Sequence, residues 1–199
     1  MAAVSAPDDA GTSARILDVA ESLVQVRGFN GFSYADISAE LGISKAALHY
    51  HFAGKADLGL ALITRYATRF AEALAAIDGA GAEPAARLAE YAGLYLQVLR
   101  QGRMCLCGML AAEYQTLPRP MQDAVISFFD NNESWLEKVL QEGHRDGSLR
   151  FPGSARDTAR LIIAGLEGAM LVTRTLGDIH RFEAAATSLL AGLTPTPEP

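Results

Sequence analysis

The chain has 199 residues, half of them apolar, and a formal net charge of -6 at pH 7. This length can bury a substantial core without disulfides. We expect neither a membrane span nor a secretory signal, because there is no run of about 18 apolar residues and no charged segment leading into an apolar one. The protein is therefore expected to be cytoplasmic, with its two cysteines reduced.

The N-terminal region predicts a short arm followed by a first helix. Residues 1–11 are small, polar and acidic, and we expect them to be disordered. A helix should start near Thr12 or Ser13, because apolar residues then recur at helical spacing until Gly28. Elsewhere Ala and Leu dominate, and no alternating Val, Ile and Thr runs indicate a sheet, so the whole chain is predicted to be all-α.

The stretch from Ser33 to Lys55 predicts two short helices joined by a tight turn. The Ser33 hydroxyl can cap a helix that runs to about Leu41, and Gly42 can take the positive φ that ends it. Ser44 is then placed to cap a second helix. The apolar stripe of that helix leaves a polar outer surface, which is typical of a helix that reads the major groove of DNA.

We predict that this segment binds DNA through its caps and its outer surface. Small residues let the backbone approach, while Lys, Tyr and His side chains donate to phosphates. Residues 1–57 carry four Lys and Arg against seven Asp and Glu, but residues 42–55 contain two Lys, two His and no acid. We therefore expect few phosphate contacts per subunit. The predicted DNA-binding residues are Ser33, Ser44, Lys45, Ala46, Ala47, His49, Tyr50, His51 and Lys55.

Residues 13–58 resemble the TetR family of one-component transcriptional regulators. The family pattern is a hydroxyl cap, then Ile, then Gly-Val-Ser, then Leu-Tyr-x-His/Tyr-Phe-x-x-Lys-x-x-Leu. The chain departs from it at His49, where the family usually has Tyr, and at Ser38, where it usually has Ala. The matching residues are Ser33, Ile37, Gly42, Ile43, Ser44, Leu48, His51, Phe52, Lys55 and Leu58.

The resemblance implies a three-helix helix-turn-helix head on a helical body of about six helices. The DNA-binding domain would span residues 12–57 and the ligand-binding and dimerisation domain residues 58–194, with a disordered tail at 195–199. The implied partners are a double-stranded DNA operator, a small-molecule effector and a second copy of the chain. No membrane, cofactor or metal ion is expected.

The body is predicted to begin with a connecting helix from Leu58 to Ile77, about 30 Å long, which can carry a tilt to the head. Further helices are expected at about 84–102, 104–115, 121–142, 154–175 and 178–193. In the family the last two helices form a four-helix bundle with a second subunit; packing within the chain is the alternative. The predicted dimer residues are Ile162, Gly165, Leu166, Gly168, Ala169, Leu189 and Leu190.

An apolar effector cavity with a few polar groups is predicted from family position. Glu113 and Glu167 lie in apolar stretches, where a carboxylate must be paired, neutralised or met by a ligand's amine or hydroxyl. The alternatives are exposed or internally paired carboxylates and aromatic residues that are plain core. The residues predicted to line the cavity are Tyr66, Phe70, Tyr91, Tyr95, Cys105, Cys107, Met109, Glu113, Phe128, Phe129, Trp135, Glu167 and Met170.

Cys105 and Cys107 are expected on one short helix, where residues two apart point about 200° away from each other. This disfavours a shared metal ion or a disulfide between them. One thiol could face the cavity and react with an electrophile or oxidant, if a cation such as Arg103 lowered its pKa. The alternative is that both are small buried hydrophobes.

These features predict a ligand-responsive repressor that binds a palindromic operator as a homodimer and is released by a small apolar or electrophilic effector. The alternatives are a transcriptional activator, a helical adaptor, and a thiol-dependent enzyme that uses Cys105 or Cys107 with His144 as base. We predict no enzyme, because the sequence has no nucleophile elbow, CxxC, HExxH or glycine-rich phosphate loop.

Overall fold

A computed structural model describes residues 9–194 and confirms the all-α fold, with no strand in this range. Three helices form an N-terminal head and six form the body, as predicted, and a single 3₁₀ turn spans Tyr114–Thr116. The helices are α1 (Asp9–Arg27), α2 (Tyr34–Leu41), α3 (Lys45–His51), α4 (Lys55–Gly79), α5 (Pro84–Arg100), α6 (Leu106–Ala112), α7 (Arg119–Asp146), α8 (Ala155–Leu176) and α9 (His180–Ala191).

The predicted arm and tail can be compared with the structure only where residues are described. Residues 9–11, predicted as part of a disordered arm, form the first turn of α1. The remaining arm, residues 1–8, and the tail, residues 195–199, lie outside the described residues. The predicted boundary between residues 57 and 58 falls inside the first turn of α4.

The head packs around a small apolar core, in which Ile16, Ile37 and Leu48 are fully buried. Gly42 ends α2 with a φ of 66°, a conformation that glycine adopts without the strain of a Cβ, and its N–H donates to the Ser38 carbonyl over 3.0 Å. The Ser44 hydroxyl caps α3 by accepting from the Ala47 N–H over 3.1 Å. The predicted helix, turn and crossing helix are therefore present.

Ion pairs and backbone hydrogen bonds join the head to the body. Arg65 of α4 pairs with Asp18 and with Glu21 of α1, each over 2.8 Å, and Arg69 pairs with Glu21 as well. The backbone N–H of Met104, just before α6, donates to the carbonyl of Gln25 over 3.2 Å. The head therefore contacts both the connecting helix α4 and the segment that leads into α6.

The body helices α4–α9 enclose an aromatic core, and α8 packs on both α7 and α9. Helix α6 is shorter than predicted, with Cys105 as its N-cap and Glu113 as its C-cap. Among the described residues, no helix combines the length and the apolar character that crossing a membrane requires.

Candidate nucleic-acid interface and effector site

The outer surface of α3 is exposed, as its sequence pattern predicts. The residues that face solvent are Lys45, Ala46, His49 and Tyr50. The Tyr50 side chain is 76% exposed, more than any other large apolar or aromatic side chain in the described structure. The inner face is held by Leu48, which is fully buried. This arrangement projects polar groups of α3 outward on a helix that is anchored to the head core.

The remaining predicted contacts flank that surface. Ser44 is exposed and caps α3, while Ala47 and His51 are half-buried beside it. The ring of His51 lies edge-on to Tyr50, with 5.3 Å between ring centroids. These residues are therefore brought together at one end of the head.

His49 is tied to the backbone by one ring nitrogen. Its Nδ1 lies 3.0 Å from the Ala53 carbonyl, and its ring packs on Tyr34 with 4.8 Å between centroids. Because a carbonyl only accepts, Nδ1 must carry the proton in this contact. His49 can then donate from Nε2 to a phosphate only as the doubly protonated imidazolium.

The Ser33 hydroxyl belongs to the N-cap residue of α2, which forms a capping box with Asp36. It donates to the Asp36 carboxylate over 2.7 Å, and the same carboxylate oxygen accepts from the Ser33 backbone N–H over 2.7 Å. These hydrogen bonds from Ser33 lower the pKa of Asp36. Ser33 is therefore the N-cap residue of α2, as predicted, and Asp36 completes the capping box.

The Lys55 ammonium is bound within the head, and its predicted phosphate contact stays a prediction. Its Nζ donates to the Phe29 carbonyl over 2.5 Å and also to the Phe32 carbonyl. The ammonium lies over both rings, 4.7 Å from the Phe29 centroid and 4.2 Å from the Phe32 centroid. Burial lowers the pKa of Lys55, and its role is to hold the turn after α1.

The aromatic residues predicted for the effector cavity do lie together in the body. Phe70 is at the centre, with ring-centroid distances of 5.2 Å to Phe128, 6.0 Å to Tyr91 and 6.2 Å to Tyr95. The cluster is completed by Tyr66, Phe129 and Trp135. Whether these rings contact an effector stays a prediction.

A short polar chain runs through this aromatic cluster. The hydroxyls of Tyr91 and Tyr95 lie 3.0 Å apart, and Tyr91 donates to Oδ1 of Asn132 over 3.3 Å. Asn132 is 2% exposed and was missed from the sequence. An amide four residues after Phe128, on the same face of an amphipathic helix, is the signal that could have identified it.

Trp135 stacks on Tyr91 with 5.6 Å between centroids, but its indole N–H donates to Asp78 at the end of α4 over 3.0 Å. Met170 is fully buried in the core, whereas Met109 is half-buried, with its sulfur 3.5 Å from Nη1 of Arg174.

The two thiols are both buried, and their geometry differs from the prediction. Cys105 is the N-cap of α6, outside its helical turns, so the 200° separation expected for two helical positions does not apply. Its sulfur accepts from the Gly108 N–H over 3.4 Å and from the Tyr66 hydroxyl over 3.7 Å. Burial raises the pKa of both Cys105 and Cys107 well above the ordinary value, opposite to the lowering predicted for a reactive thiolate.

Glu167 reaches from α8 to the start of α6. A Cβ on Gly108 would lie 2.2 Å from its Oε2, so only glycine lets the carboxylate approach this closely. Its Oε1 is buried without a hydrogen-bond partner among the described residues. Burial raises the pKa of Glu167 to about 7, and a hydrogen bond with Cys105 partly opposes this rise.

Glu113 is not part of the aromatic cluster, which corrects its prediction as a cavity residue. Its carboxylate accepts from the backbone N–H of Phe29 over 2.5 Å and from that of Asn30 over 3.2 Å. Asn30 also donates from its side chain to Thr116 over 2.8 Å. The C-terminal end of α6 therefore binds the turn that follows α1 in the head.

The predicted dimer residues divide between the interior and the surface. Ile162 and Leu166 are buried within the single chain, so their prediction as interface residues was wrong. Gly165 packs on Leu189 of the same chain. Gly168 is exposed, and Ala169, Leu189 and Leu190 are half-buried.

The exposed apolar face of α8 lies elsewhere on the helix and was missed from the sequence. At about 100° per residue, Leu161, Gly168 and Val172 fall on one side of α8, away from the buried Ile162 and Leu166. Spacings of seven and four residues group these positions on one face, but they do not show that this face is the exposed one. The face is made by four large residues, Leu161 (59% exposed), Leu171 (54%), Val172 (56%) and Leu176 (53%).

Two cavities border these elements. A groove of about 410 Å³ lies between α5 and α9, and none of the predicted cavity residues lines it. A second cavity of about 340 Å³ lies between α1, α4 and α5, and Tyr66 and Phe70 line it. The aromatic cluster therefore reaches a cavity on the side that faces the head.

An exposed polar helix, held across a tight turn by a second helix on a helical body, defines the class of helix-turn-helix transcriptional regulators. Residues 16–62 match the family described as bacterial regulatory proteins, tetR family, and residues 84–189 match the tetracyclin repressor-like C-terminal domain. The chain belongs to the TetR family of transcriptional regulators.

Similar proteins of known sequence or structure support this family assignment. Transcriptional regulator AcuR of Cereibacter sphaeroides is 31% identical over 150 residues, covering 73% of this chain and 68% of that protein. HTH-type transcriptional repressor DhaR of Mycobacterium sp. (strain GP1) is 23% identical over 173 residues, covering 86% and 87%. A TetR-family regulator structure from Agrobacterium tumefaciens is 32% identical, with a TM-score of 0.91, covering 94% of this chain and all of that one.

Proposed function

We propose that this transcriptional regulator is a homodimeric repressor that binds a palindromic operator and is released by a small-molecule effector. The observation that carries the proposal is the exposed outer surface of α3, with Lys45, His49 and Tyr50, supported on a body whose α8 presents an exposed apolar face. The relative DhaR is a transcriptional repressor, which favours repression over activation.

Dimerisation would cover the exposed face of α8. Four aliphatic side chains on one helix are unusual in water, and pairing them with the same face of a second chain removes them from it. A two-fold axis at α8 would place two α3 helices for half-sites about one helical turn of DNA apart. The dimer therefore sets the spacing of the operator.

The effector would act through α6, which has contacts at both ends. Its N-terminal end carries Cys105 against Glu167 beside the aromatic cluster, and its C-terminal end carries Glu113 against the head amides of Phe29 and Asn30. A ligand that binds better to a shifted α6 would change the position of the head and favour a state with wrongly spaced reading helices.

The thiol-dependent enzyme has less support than the repressor. It requires a base beside a thiolate, whereas the His144 ring is exposed and packs on Phe151 with 5.4 Å between centroids. Both thiols are buried with raised pKa values. An electrophilic effector would therefore first need an opening of the body around Cys105.

An operator mobility-shift assay with Lys45→Ala, His49→Ala and Tyr50→Ala tests the proposal. The three single variants remove side chains from the proposed reading surface, and we expect each to weaken specific binding. Lys138→Ala is the matched control, because it removes the same charge as Lys45→Ala from an exposed position on α7. Unchanged specific binding in all three variants would reject α3 as the reading helix.

A further inference from the structure

The cavity between α1, α4 and α5 has walls from both the head and the body. Glu21 and Gln25 come from α1, Tyr66 and Phe70 from α4, and Arg103 from the segment after α5. Its volume of about 340 Å³ lies within the range of about 300–1,000 Å³ typical of small-molecule sites. A molecule held there would contact the head and the body at once.

The charge at this cavity is not balanced. Glu21 is 8% exposed, and its carboxylate is paired with Arg65 over 2.8 Å and with Arg69. Arg103 lines the same cavity, and within residues 9–194 its guanidinium has no ion pair. Arg103 also borders the groove lined by Asp18, Asp36 and Glu40, but it forms no ion pair with them in the described structure. Since Glu21 is already shared by two arginines, the Arg103 guanidinium can meet an anion.

A buried hydrogen-bond acceptor also borders the cavity. Gln25 is 2% exposed, and its Oε1 has no hydrogen-bond partner in the part of the chain that the structure describes. Buried polar atoms are nearly always hydrogen-bonded, because leaving one without a partner costs free energy. A hydroxyl donor on a bound molecule would satisfy this oxygen.

The third feature is an aromatic wall. The rings of Tyr66 and Phe70 line the cavity with 6.1 Å between their centroids, and Phe70 is only half-buried. Aromatic rings pack favourably at offset or edge-on geometries over such distances. An aromatic ring on the ligand is therefore favoured over a purely polar molecule.

We propose that this cavity binds a small hydroxylated aromatic carboxylic acid, with its carboxylate on Arg103, its hydroxyl on Oε1 of Gln25 and its ring against Tyr66 and Phe70. Such a ligand joins α1 of the head to α4 and to the segment after α5 in the body, and it favours the described arrangement over one in which the head has turned. This regulatory consequence rests on the proposed function, whereas the binding does not.

Isothermal titration of the full chain with 3-hydroxybenzoate tests the site. Benzoate lacks the hydroxyl and 3-hydroxybenzyl alcohol lacks the carboxylate, so both should bind more weakly than 3-hydroxybenzoate. Arg103→Gln should lower the affinity for both acids by about tenfold or more and leave the affinity for the alcohol unchanged, because it removes only the charged contact. Gln25→Leu should reduce the affinity for 3-hydroxybenzoate to that for benzoate.

Arg100→Gln is the matched control, because Arg100 is the last residue of α5, three residues before Arg103, and pairs with Glu183 over 3.1 Å outside this cavity. It should leave every affinity unchanged. Absence of saturable binding by 3-hydroxybenzoate, or an affinity that Arg103→Gln leaves unchanged, would overturn the site. Operator binding is measured separately: acid binding without operator binding would reject the proposed function and keep the site.

Discussion

The outer surfaces of α3 and α8 are both exposed in the single chain, but they are chemically opposite. On α3 the exposed groups include Lys45 and Tyr50, which water solvates. On α8 they are four aliphatic side chains, each more than half exposed, including Leu161 and Val172. The first surface is stable in water and suits a charged polymer, whereas the second is stabilised by another apolar surface.

This difference makes the two surfaces dependent on each other. The α3 surface is small and carries few positive groups, so a single copy should bind DNA weakly. Two copies held at a fixed spacing by α8 would act on one DNA molecule with a much higher effective affinity. In the proposed dimer the apolar face would therefore affect DNA binding without touching DNA.

The largest expected effect comes from placing charges on the α8 face. Leu171→Glu with Val172→Glu should weaken dimerisation by roughly 100-fold or more, because an unpaired charge buried at an interface costs about 3–5 kcal/mol. Sedimentation velocity should then show monomers, and operator binding should be lost with them. Ile126→Glu, at another exposed apolar residue, should leave the dimer intact; a dimer that survives the α8 double variant would place the interface elsewhere.

The second effect concerns the polar surface of α3. Lys45→Met should weaken operator binding by about tenfold and reduce the slope of log affinity against log salt by about one per subunit, as expected for one lost phosphate contact. Fluorescence anisotropy across a salt series measures both quantities. An unchanged slope would show that Lys45 does not contact the phosphates.

The third effect concerns the stability of the head, at Lys55. Lys55→Met removes hydrogen bonds to two backbone carbonyls and should lower the free energy of unfolding by about 2–4 kcal/mol. Lys45→Met, at an exposed position, should change it by less than about 0.5 kcal/mol. Urea denaturation compares the two; equal stabilities would return Lys55 to the role of a phosphate contact.

The inner face of α8 gives a smaller effect on stability than Lys55 does, at Glu167. Burial raises its pKa from 4.5 to about 7, so the folded chain binds a proton there that the unfolded chain has released. Its contribution is fully present below about pH 4.5 and is lost as the pH rises through about 7. Glu167→Gln, which stays neutral, should raise the free energy of unfolding by about 1–3 kcal/mol at pH 8 and change little at pH 4.

Urea titrations at both pH values measure this difference. Glu72→Gln, at an exposed carboxylate on α4, should show the same small change at pH 4 and pH 8. If Glu167→Gln gave no more stability at pH 8 than at pH 4, the carboxylate would be compensated by a group near the start of α6.

The head could be predicted closely from the sequence because its signals are local. Ser44 and Gly42 lie within a few residues of the amides and carbonyls they serve, so capping rules suffice. The contacts of Lys55 and Glu113 were not predicted, because their partners, Phe29 and its neighbours, are distant in the chain. Residue type alone could not reveal such contacts.

The helices of the body could be predicted from the sequence, but which face of each helix is buried could not. Helix α8 is apolar on both sides, so periodicity could not distinguish the buried Ile162 from the exposed Leu161, its neighbour. The predicted geometry of the two thiols was wrong because α6 begins at Leu106, which makes Cys105 the N-cap residue. Where a helix ends is the least predictable feature of its sequence.

Selection of binding sites from a random pool of duplex DNA tests the central claim most directly. The account predicts that the wild-type protein enriches an inverted repeat whose half-site centres lie about 10 base pairs apart, and that a Lys45→Met, Tyr50→Ala variant enriches none. Enrichment of the same repeat by that variant, or of a single half-site without symmetry by the wild type, would contradict a dimer that reads DNA through α3.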